Sequence, residues 1–295
     1  MIGFHLQTAK SHFKERLLAK FSYRETEQLV LILLEDLFGI DLKRQLMEPQ
    51  FRIDEEQYAL MENAVTRLLA DVPIQYVTGK AYFDGLLLHV DESVLIPRPE
   101  TEELVQKIAS ELPADKPSRI WDIGTGSGCI AIALAKRLPQ ASVLAFDVSE
   151  KALEIARRNA EQNGVNVGFI GDDVLHPVSE CWNQPVDVVV SNPPYIRESE
   201  RIGMERNVLD HEPHTALFVP DEDPLLFYRQ ILTLATSQLS SGGSVWFEIN
   251  EAMGGEMSRL GETMGFRVTL MEDYNGRSRY ALLRHLHSDE AFVCQ

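Results

Sequence analysis

The sequence predicts an α/β fold: a seven-stranded, mostly parallel sheet with helices on both faces, preceded by a small all-helical domain. Three observations predict it. From residue 119 onward, short apolar runs rich in β-formers alternate with helical stretches, the pattern of strands joined by crossover helices. A glycine-rich segment, Gly124-Thr-Gly-Ser-Gly128, lies between the first such run and its helix. The first 72 residues instead show apolar positions at helical spacing.

In chain order, Leu29, Val30, Ile32, Leu33 and Leu37 mark one helix over Glu25–Phe38. Tyr58, Leu60, Met61, Val65, Leu68 and Leu69 mark another over Glu56–Leu69, with Asp54 as N-cap. Pro73 stops that helix. Tyr82–Phe83 and Leu86–Val90 flank Asp84-Gly85, a hairpin turn, so residues 73–99 read as a linker between domains. Pro97 and Pro99 end the strand, and Glu100 and Glu102 open a helix where its dipole favours acids. The main domain then spans 100–285. Its strands are expected at Arg119–Ile123, Ser142–Phe146, Val167–Ile170, Val186–Ser191, Ser244–Ile249, Phe266–Met271 and Ser278–Arg284. Helices are expected at Ser127–Leu138, Glu150–Asn163 and Leu225–Leu239. The last two strands flank Asn275-Gly276 and form a hairpin, so the sheet ends on an antiparallel strand. Residues 286–295 read as a disordered tail.

The chain has 295 residues and a formal charge of −17. Residues 1–95 carry −5 of this, so neither domain is a basic module, and a direct nucleic-acid substrate is not expected. Cys129, Cys181 and Cys294 have no paired spacing, which argues against a zinc ribbon or a disulfide scaffold. No run approaches the ~20 apolar residues of a membrane span, and the N-terminus shows no signal-peptide core. A cytoplasmic location with no membrane partner is expected.

The glycine segment fails the dinucleotide pattern G-x-G-x-x-G, because the sixth position from Gly124 is Cys129. It reads instead as G-x-G-x-G preceded by Asp122. That arrangement suits S-adenosylmethionine, which has an amino-acid tail and no phosphate. Asp122 is expected near the cofactor ammonium, and Gly124, Thr125, Gly126, Ser127 and Gly128 along its loop. Asp147 ends the second strand, 23 residues after Gly124, where a carboxylate can accept from ribose hydroxyls. Asp173 and Val174, after the third strand, are expected at the adenine.

The fourth strand runs into Asn192-Pro193-Pro194-Tyr195. An amide or exocyclic amine is a poor nucleophile because its lone pair is delocalised. The Asn192 side-chain oxygen can accept one N–H and the Pro193 carbonyl the other, since proline keeps an acceptor and lacks a donor. Tyr195 can stack on the planar group, and Pro193 and Pro194 stiffen the loop. Methyl transfer by direct in-line displacement to a planar NH2 nitrogen is the chemistry this predicts.

The order Gly124–Gly128, Asp147, Asp173, Asn192–Tyr195 resembles the N6-adenine and N5-glutamine methyltransferases. Pro73-Ile-Gln-Tyr-Val-Thr-Gly79, Ile96-Pro-Arg-Pro-Glu-Thr-Glu102, Glu212-Pro-His-Thr-Ala-Leu217 and the Asp273…Gly276-Arg277 hairpin narrow this to the HemK-type protein glutamine N5-methyltransferases. The resemblance covers about residues 50–284 and implies a Rossmann-like class I methyltransferase fold. It implies S-adenosylmethionine as cofactor, bound also at Asn192, and a peptide chain release factor as protein partner, methylated at the glutamine of its Gly-Gly-Gln loop. It also makes the helical domain a substrate-recognition domain. Val174 departs from members with an aromatic there. A ribosomal-protein glutamine and a nucleic-acid adenine remain as alternative targets, and a cofactor-binding scaffold without activity as a third reading. His211 and His214 are not expected to hold a metal, because Pro213 breaks their helical face. Glu248 is left open between a supporting role beside the site and a simple strand-end charge, and Arg98 between facing the substrate entrance and pairing with nearby acids.

Overall fold

Three of the helices in the first 80 residues begin at a side-chain cap. In the computed structural model, which describes residues 3–48, 50–113 and 115–286, Ser22 caps α2 (Tyr23–Phe38) through Glu25 N, and Asp41 caps α3 (Leu42–Met47). Asp54 and Gln57 form a reciprocal capping box at the start of α4 (Glu55–Leu69). With α1 (Leu6–Leu17), these helices bury Phe13, Leu17, Val30, Leu33, Met61 and Val65 in one core. Two short strands, β1 (Phe4–His5) and β2 (Arg52–Ile53), pair antiparallel beside it. The stretch from Pro73 was expected to lead into a hairpin alone. It first forms a short helix, α5 (Ile74–Thr78), which ends where Gly79 turns left-handed (φ 70°). The hairpin of β3 (Lys80–Phe83) and β4 (Leu86–His89) follows. Contacts divide the chain into two units, 3–80 with 205–211 and 81–204 with 212–286. The small inserted helix α9 (Arg206–Leu209) belongs to the first unit.

The second unit is built on the seven-stranded sheet. Its strands are β5 (Arg119–Ile123), β6 (Ser142–Asp147), β7 (Gly168–Gly171), β8 (Val186–Ser191), β11 (Leu239–Glu248), β12 (Phe266–Glu272) and β13 (Ser278–His285), in the order β12-β13-β11-β8-β5-β6-β7. A separate two-residue pair, β9 (Ile196–Arg197) with β10 (Phe218–Val219), lies outside the sheet. The strand order from β11 to β7 is parallel. The reversed strand is β13, but it does not close the sheet. It is inserted between β11 and β12, and β12 forms the edge. The expected tail began after residue 285; residues 287–295 lie outside the described residues.

Alternation along the strands sorts side chains onto two buried faces. On one face Ile120, Val188, Val190 and Trp246 pack under α6 (Pro99–Glu111) and α7 (Cys129–Arg137). On the other, Trp121, Ile123, Val189, Val245 and Phe247 meet α10 (Leu226–Gln238) and α11 (Gly254–Thr263). The helix α8 (Glu150–Asn163) follows β6. Among the described residues, no helix is long and apolar enough to cross a membrane.

Candidate active site

The glycine loop was expected to open its helix at Ser127. Helix α7 instead begins at Cys129, because Gly128 at the N-cap is left-handed (φ 82°). Gly128 has no side chain with which to cap the helix. Asp122 supplies the cap from the strand below: its Oδ2 accepts Ala131 N (3.1 Å) and Thr125 Oγ1 (2.6 Å). Asp122 was expected to face the cofactor ammonium, and this needs correction. Alternation puts it on the same face as Ile120, beneath α7 and fully buried, and it does not line the cavity described below. Burial pushes its pKa up to about 7, against the hydrogen bonds from Thr125 and Ala131. Its Oδ1 is buried with no partner among the described residues. Thr125, Ser127 and Gly128 likewise hold the loop from behind rather than line the cavity.

Gly124 and Gly126 do line it. Both are left-handed, and a Cβ built on either would meet nothing within 4 Å, so their backbone faces open space. Asp147, at the end of β6, fastens the loop: Oδ2 accepts Gly126 N (2.8 Å) and Oδ1 accepts Ser149 N (2.9 Å). A carboxylate has about four acceptor sites, so Asp147 keeps capacity for hydroxyl donors. Burial raises its pKa, opposed by those amides.

After β7, Asp172 and Asp173 have different tasks. Asp172 accepts Ser179 N (2.7 Å), Val178 N and the Trp182 indole N–H (2.6 Å), organising the loop after β7. Trp182 stacks on Phe146 at 3.9 Å. Asp173 lines the cavity with Val174, and its Oδ1 accepts Leu175 N.

The reacting end is built on three elements. Strand β8 delivers Asn192, Pro193 and Pro194 to the cavity wall. Asn192 Nδ2 donates to Thr101 Oγ1 (3.3 Å), Thr101 donates to Glu248 Oε2 (2.7 Å), and Tyr195 OH donates to Glu248 Oε1 (3.3 Å). Tyr195 was expected to stack on the planar substrate group. It does not line the cavity, and its hydroxyl is engaged with the buried Glu248.

Burial pushes the Glu248 carboxyl up to about 7, against the pull of Thr101 and Arg279. The folded state therefore holds this proton more tightly than the unfolded chain, whose carboxyl titrates near 4.5. The stability it contributes is present below that value and is lost as pH rises through about 7. Glu248→Gln removes this titration. Urea midpoints of the variant should fall less than those of the wild type between pH 5 and pH 8, and equal slopes would contradict the assignment.

Asn159 was not anticipated from sequence, and the partner of Arg98 was left open there. Asn159, fully buried on α8, donates to His89 O (2.9 Å) and Ser127 O (2.9 Å) and accepts His89 N (2.6 Å). It ties the glycine loop to the end of β4. Its only local signal is a polar residue on the apolar face of an amphipathic helix. Arg98 pairs with the buried Glu212, which also accepts Ile96 N, so the Pro97–Pro99 segment is held to the loop carrying Pro213 and Thr215. Of the two readings left open for Arg98, the pairing with a nearby acid is the contact present. The His214 ring packs edge-on to Phe218 (5.4 Å), and no group of three or more metal-binding side chains occurs among the described residues.

A cavity of about 410 Å³ joins the glycine loop, Asp147, Asp173 and Asn192–Pro194 at the carboxyl ends of the strands. Its size, the open space before Gly124 and Gly126 and the spare acceptors of Asp147 fit S-adenosylmethionine. Two family models match the chain: the PrmC N-terminal domain over residues 9–79 and the methyltransferase small domain over 101–211. The release factor glutamine methyltransferase of Flavobacterium psychrophilum is 44% identical, covering 93% of this chain and 97% of its own length. The one from Bacteroides thetaiotaomicron is 45% identical over 86% of this chain and 91% of its own. The chain belongs to the release factor glutamine methyltransferase family. Its cofactor is S-adenosylmethionine, and it is a methyltransferase. The fold is shared with the hMettl16 catalytic domain, solved with an RNA hairpin (TM-score 0.54, 18% identity, 80% of this chain and 83% of that one). A methyltransferase from Pyrococcus furiosus shares it too (TM-score 0.50, 22% identity, 75% of this chain and 97% of that one).

Within this release factor glutamine methyltransferase fold, Gly124, Gly126, Asp147, Asp173 and Val174 form one end of the cavity. Asn192, Pro193 and Pro194 form the other. Val174 packs against the apolar cluster of Phe146 and Trp182. Of that pair, Phe146 lines the cavity beside Val174.

Proposed function

We propose that this protein methylates the side-chain amide nitrogen (N5) of the glutamine in the Gly-Gly-Gln loop of class I peptide chain release factors. The observation that carries the reading is the hydrogen-bonded orientation of Asn192. Its Nδ2 is committed to Thr101, and its Oδ1 accepts no hydrogen bond from the described residues. Oδ1 is therefore the atom left to receive an N–H. The name shared by its relatives supplies the release factor.

S-adenosylmethionine, when bound, supplies a methyl group on a positively charged sulfur. The chain's own residues then have separable tasks. Gly124 and Gly126 admit the cofactor to their backbone, and Asp147 accepts from its ribose hydroxyls. Asp173 and Val174 bound the adenine, and Asn192 also adjoins the cofactor. Asn192 Oδ1 accepts one amide N–H and the Pro193 carbonyl accepts the other. Together they hold the nitrogen so that its lone pair points at the methyl group. Orientation of this kind can contribute up to about 7–11 kcal/mol. Pro194, Phe218 and Phe227 line the cavity with apolar surface and exclude water. The amide proton becomes acidic as the nitrogen is alkylated, so it leaves late and needs no dedicated base.

The helical unit supplies partner recognition on this reading. It exposes Leu42, Leu46 and Met47 on one short helix. A partner in translation places the enzyme in the cytoplasm.

The test is a transfer assay with methyl-labelled S-adenosylmethionine. A purified class I release factor, its loop Gln→Ala variant, ribosomal proteins and adenine-containing DNA are offered side by side. Label on the wild-type release factor alone is expected. Label on a ribosomal protein keeps the chemistry and replaces the partner, whereas label on DNA overturns the reading.

A further inference from the structure

Strand parity brings two polar side chains to one face of the sheet, and helix α6 lays a third over them. Residues 188 and 190 of β8 pack on the face covered by α6, and two residues on, so does position 192. In β11, Trp246 lies on that face, and so does Glu248 two residues later. The parallel register pairs Phe247 with Ser191, so Glu248 and Asn192 leave the sheet side by side. Thr101, 2% exposed in the first turn of α6, sits over both.

The hydrogen bonds between them run in one direction. When Glu248 is ionised its carboxylate can only accept, so Thr101 donates its single hydroxyl proton to Oε2. With that proton committed, Thr101 Oγ1 can only accept from Asn192. The Asn192 amide is thereby fixed with Nδ2 towards Thr101 and Oδ1 away from it. Without the hydroxyl, the amide can rotate by half a turn and present Nδ2, a donor, where the substrate also presents donors. Glu248 extends the same control to Tyr195 through Oε1.

We propose that Thr101 and Glu248 are positioning residues that set the amide orientation of Asn192, and so select a substrate nitrogen that donates hydrogen bonds. This rests on the reading that Asn192 binds the reacting amide. Neither residue lines the cavity, so they act through Asn192 and Tyr195 and not on the substrate.

Thr101→Val keeps the shape and removes the hydroxyl; Thr101→Ser keeps the hydroxyl. With a purified class I release factor as substrate, Thr101→Val should lower kcat roughly 10- to 100-fold, the size of a small misplacement of a reacting group. Its Kd for S-adenosylmethionine should stay within about twofold of the wild type, since Thr101 does not line the cavity. Thr101→Ser should recover most of the loss. Asn192→Ala is measured alongside. If Asn192→Ala is inactive and Thr101→Val keeps wild-type kcat, the inference is overturned while the site reading stands. Equal losses in Thr101→Val and Thr101→Ser also overturn it, because the hydroxyl that serine keeps would then not be what orients Asn192. If Asn192→Ala itself retains full activity, the reading beneath it fails. Should Thr101→Val not bind S-adenosylmethionine, Thr101→Ala is read against Thr101→Ser in the same way.

Discussion

Replacing Asn192 with alanine is expected to lower kcat by roughly 10²- to 10³-fold, the scale seen when one preorganised polar contact to a reacting group is removed. The loss should fall on kcat, because the contact matters most when the lone pair is aimed at the methyl group. Binding of S-adenosylmethionine should persist, because the glycine loop and Asp147 are held by their own hydrogen bonds. Asn192→Asp should not recover activity. A carboxylate has no N–H to give Thr101, and it sets a second negative charge near the buried Glu248. Single-turnover methylation of a release factor, with calorimetric measurement of cofactor affinity, separates the two quantities. Full turnover in Asn192→Ala would sink the proposed chemistry at this residue.

The parts of this site that could be read from sequence are those whose partners are near in the chain or fixed by fold. Gly124–Gly128 and Asn192–Tyr195 are contiguous, and each follows a strand, so their place at the carboxyl edge follows from the alternation of strands and helices. Asp147 and Asp173 follow for the same reason. Thr101 and Asn159 do not, and neither do the partners of Glu248 and Arg98. Thr101 meets Glu248 across 147 residues and Asn192 across 91, and Asn159 meets His89 across 70. No local pattern encodes such pairings. They depend on which strand lies beside which, and on the first turn of α6 settling over the ends of β8 and β11.

Asp122 shows a different limit. An acid before a glycine loop invites a ligand role, yet the side chain points the other way. Strand alternation carried the information: Asp122 is two residues from Ile120, which is core on the α7 side. The need it meets is also local, since a helix that begins after glycine lacks a side-chain cap. The position of the last strand was hidden for another reason. A hairpin at the end of the chain says that the strands are antiparallel to each other. It does not say which of them inserts next to β11.

Two glycines of the loop, Gly126 and Gly128, should separate stability from binding. At Gly128 a Cβ would stand 3.0 Å from both Ala156 Cβ and Ile132 Cδ1, and the residue is left-handed. Left-handed backbone costs about 1–2 kcal/mol and overpacking about 1–3 kcal/mol, so Gly128→Ala should destabilise the fold by about 2–5 kcal/mol. At this chain length the melting temperature should drop on the order of 10 °C. Gly126→Ala meets no protein atom within 4 Å and should cost only the left-handed term, about 1–2 kcal/mol. Its methyl group, however, enters the space that the cofactor fills. A misfit of about 1–3 kcal/mol there weakens binding roughly 10- to 100-fold. Melting curves and cofactor titrations on the two variants therefore rank them in opposite orders: Gly128→Ala is worse for stability, and Gly126→Ala is worse for affinity per unit of stability lost. If Gly126→Ala bound S-adenosylmethionine as the wild type does, the open face of this loop would not be where the cofactor lies.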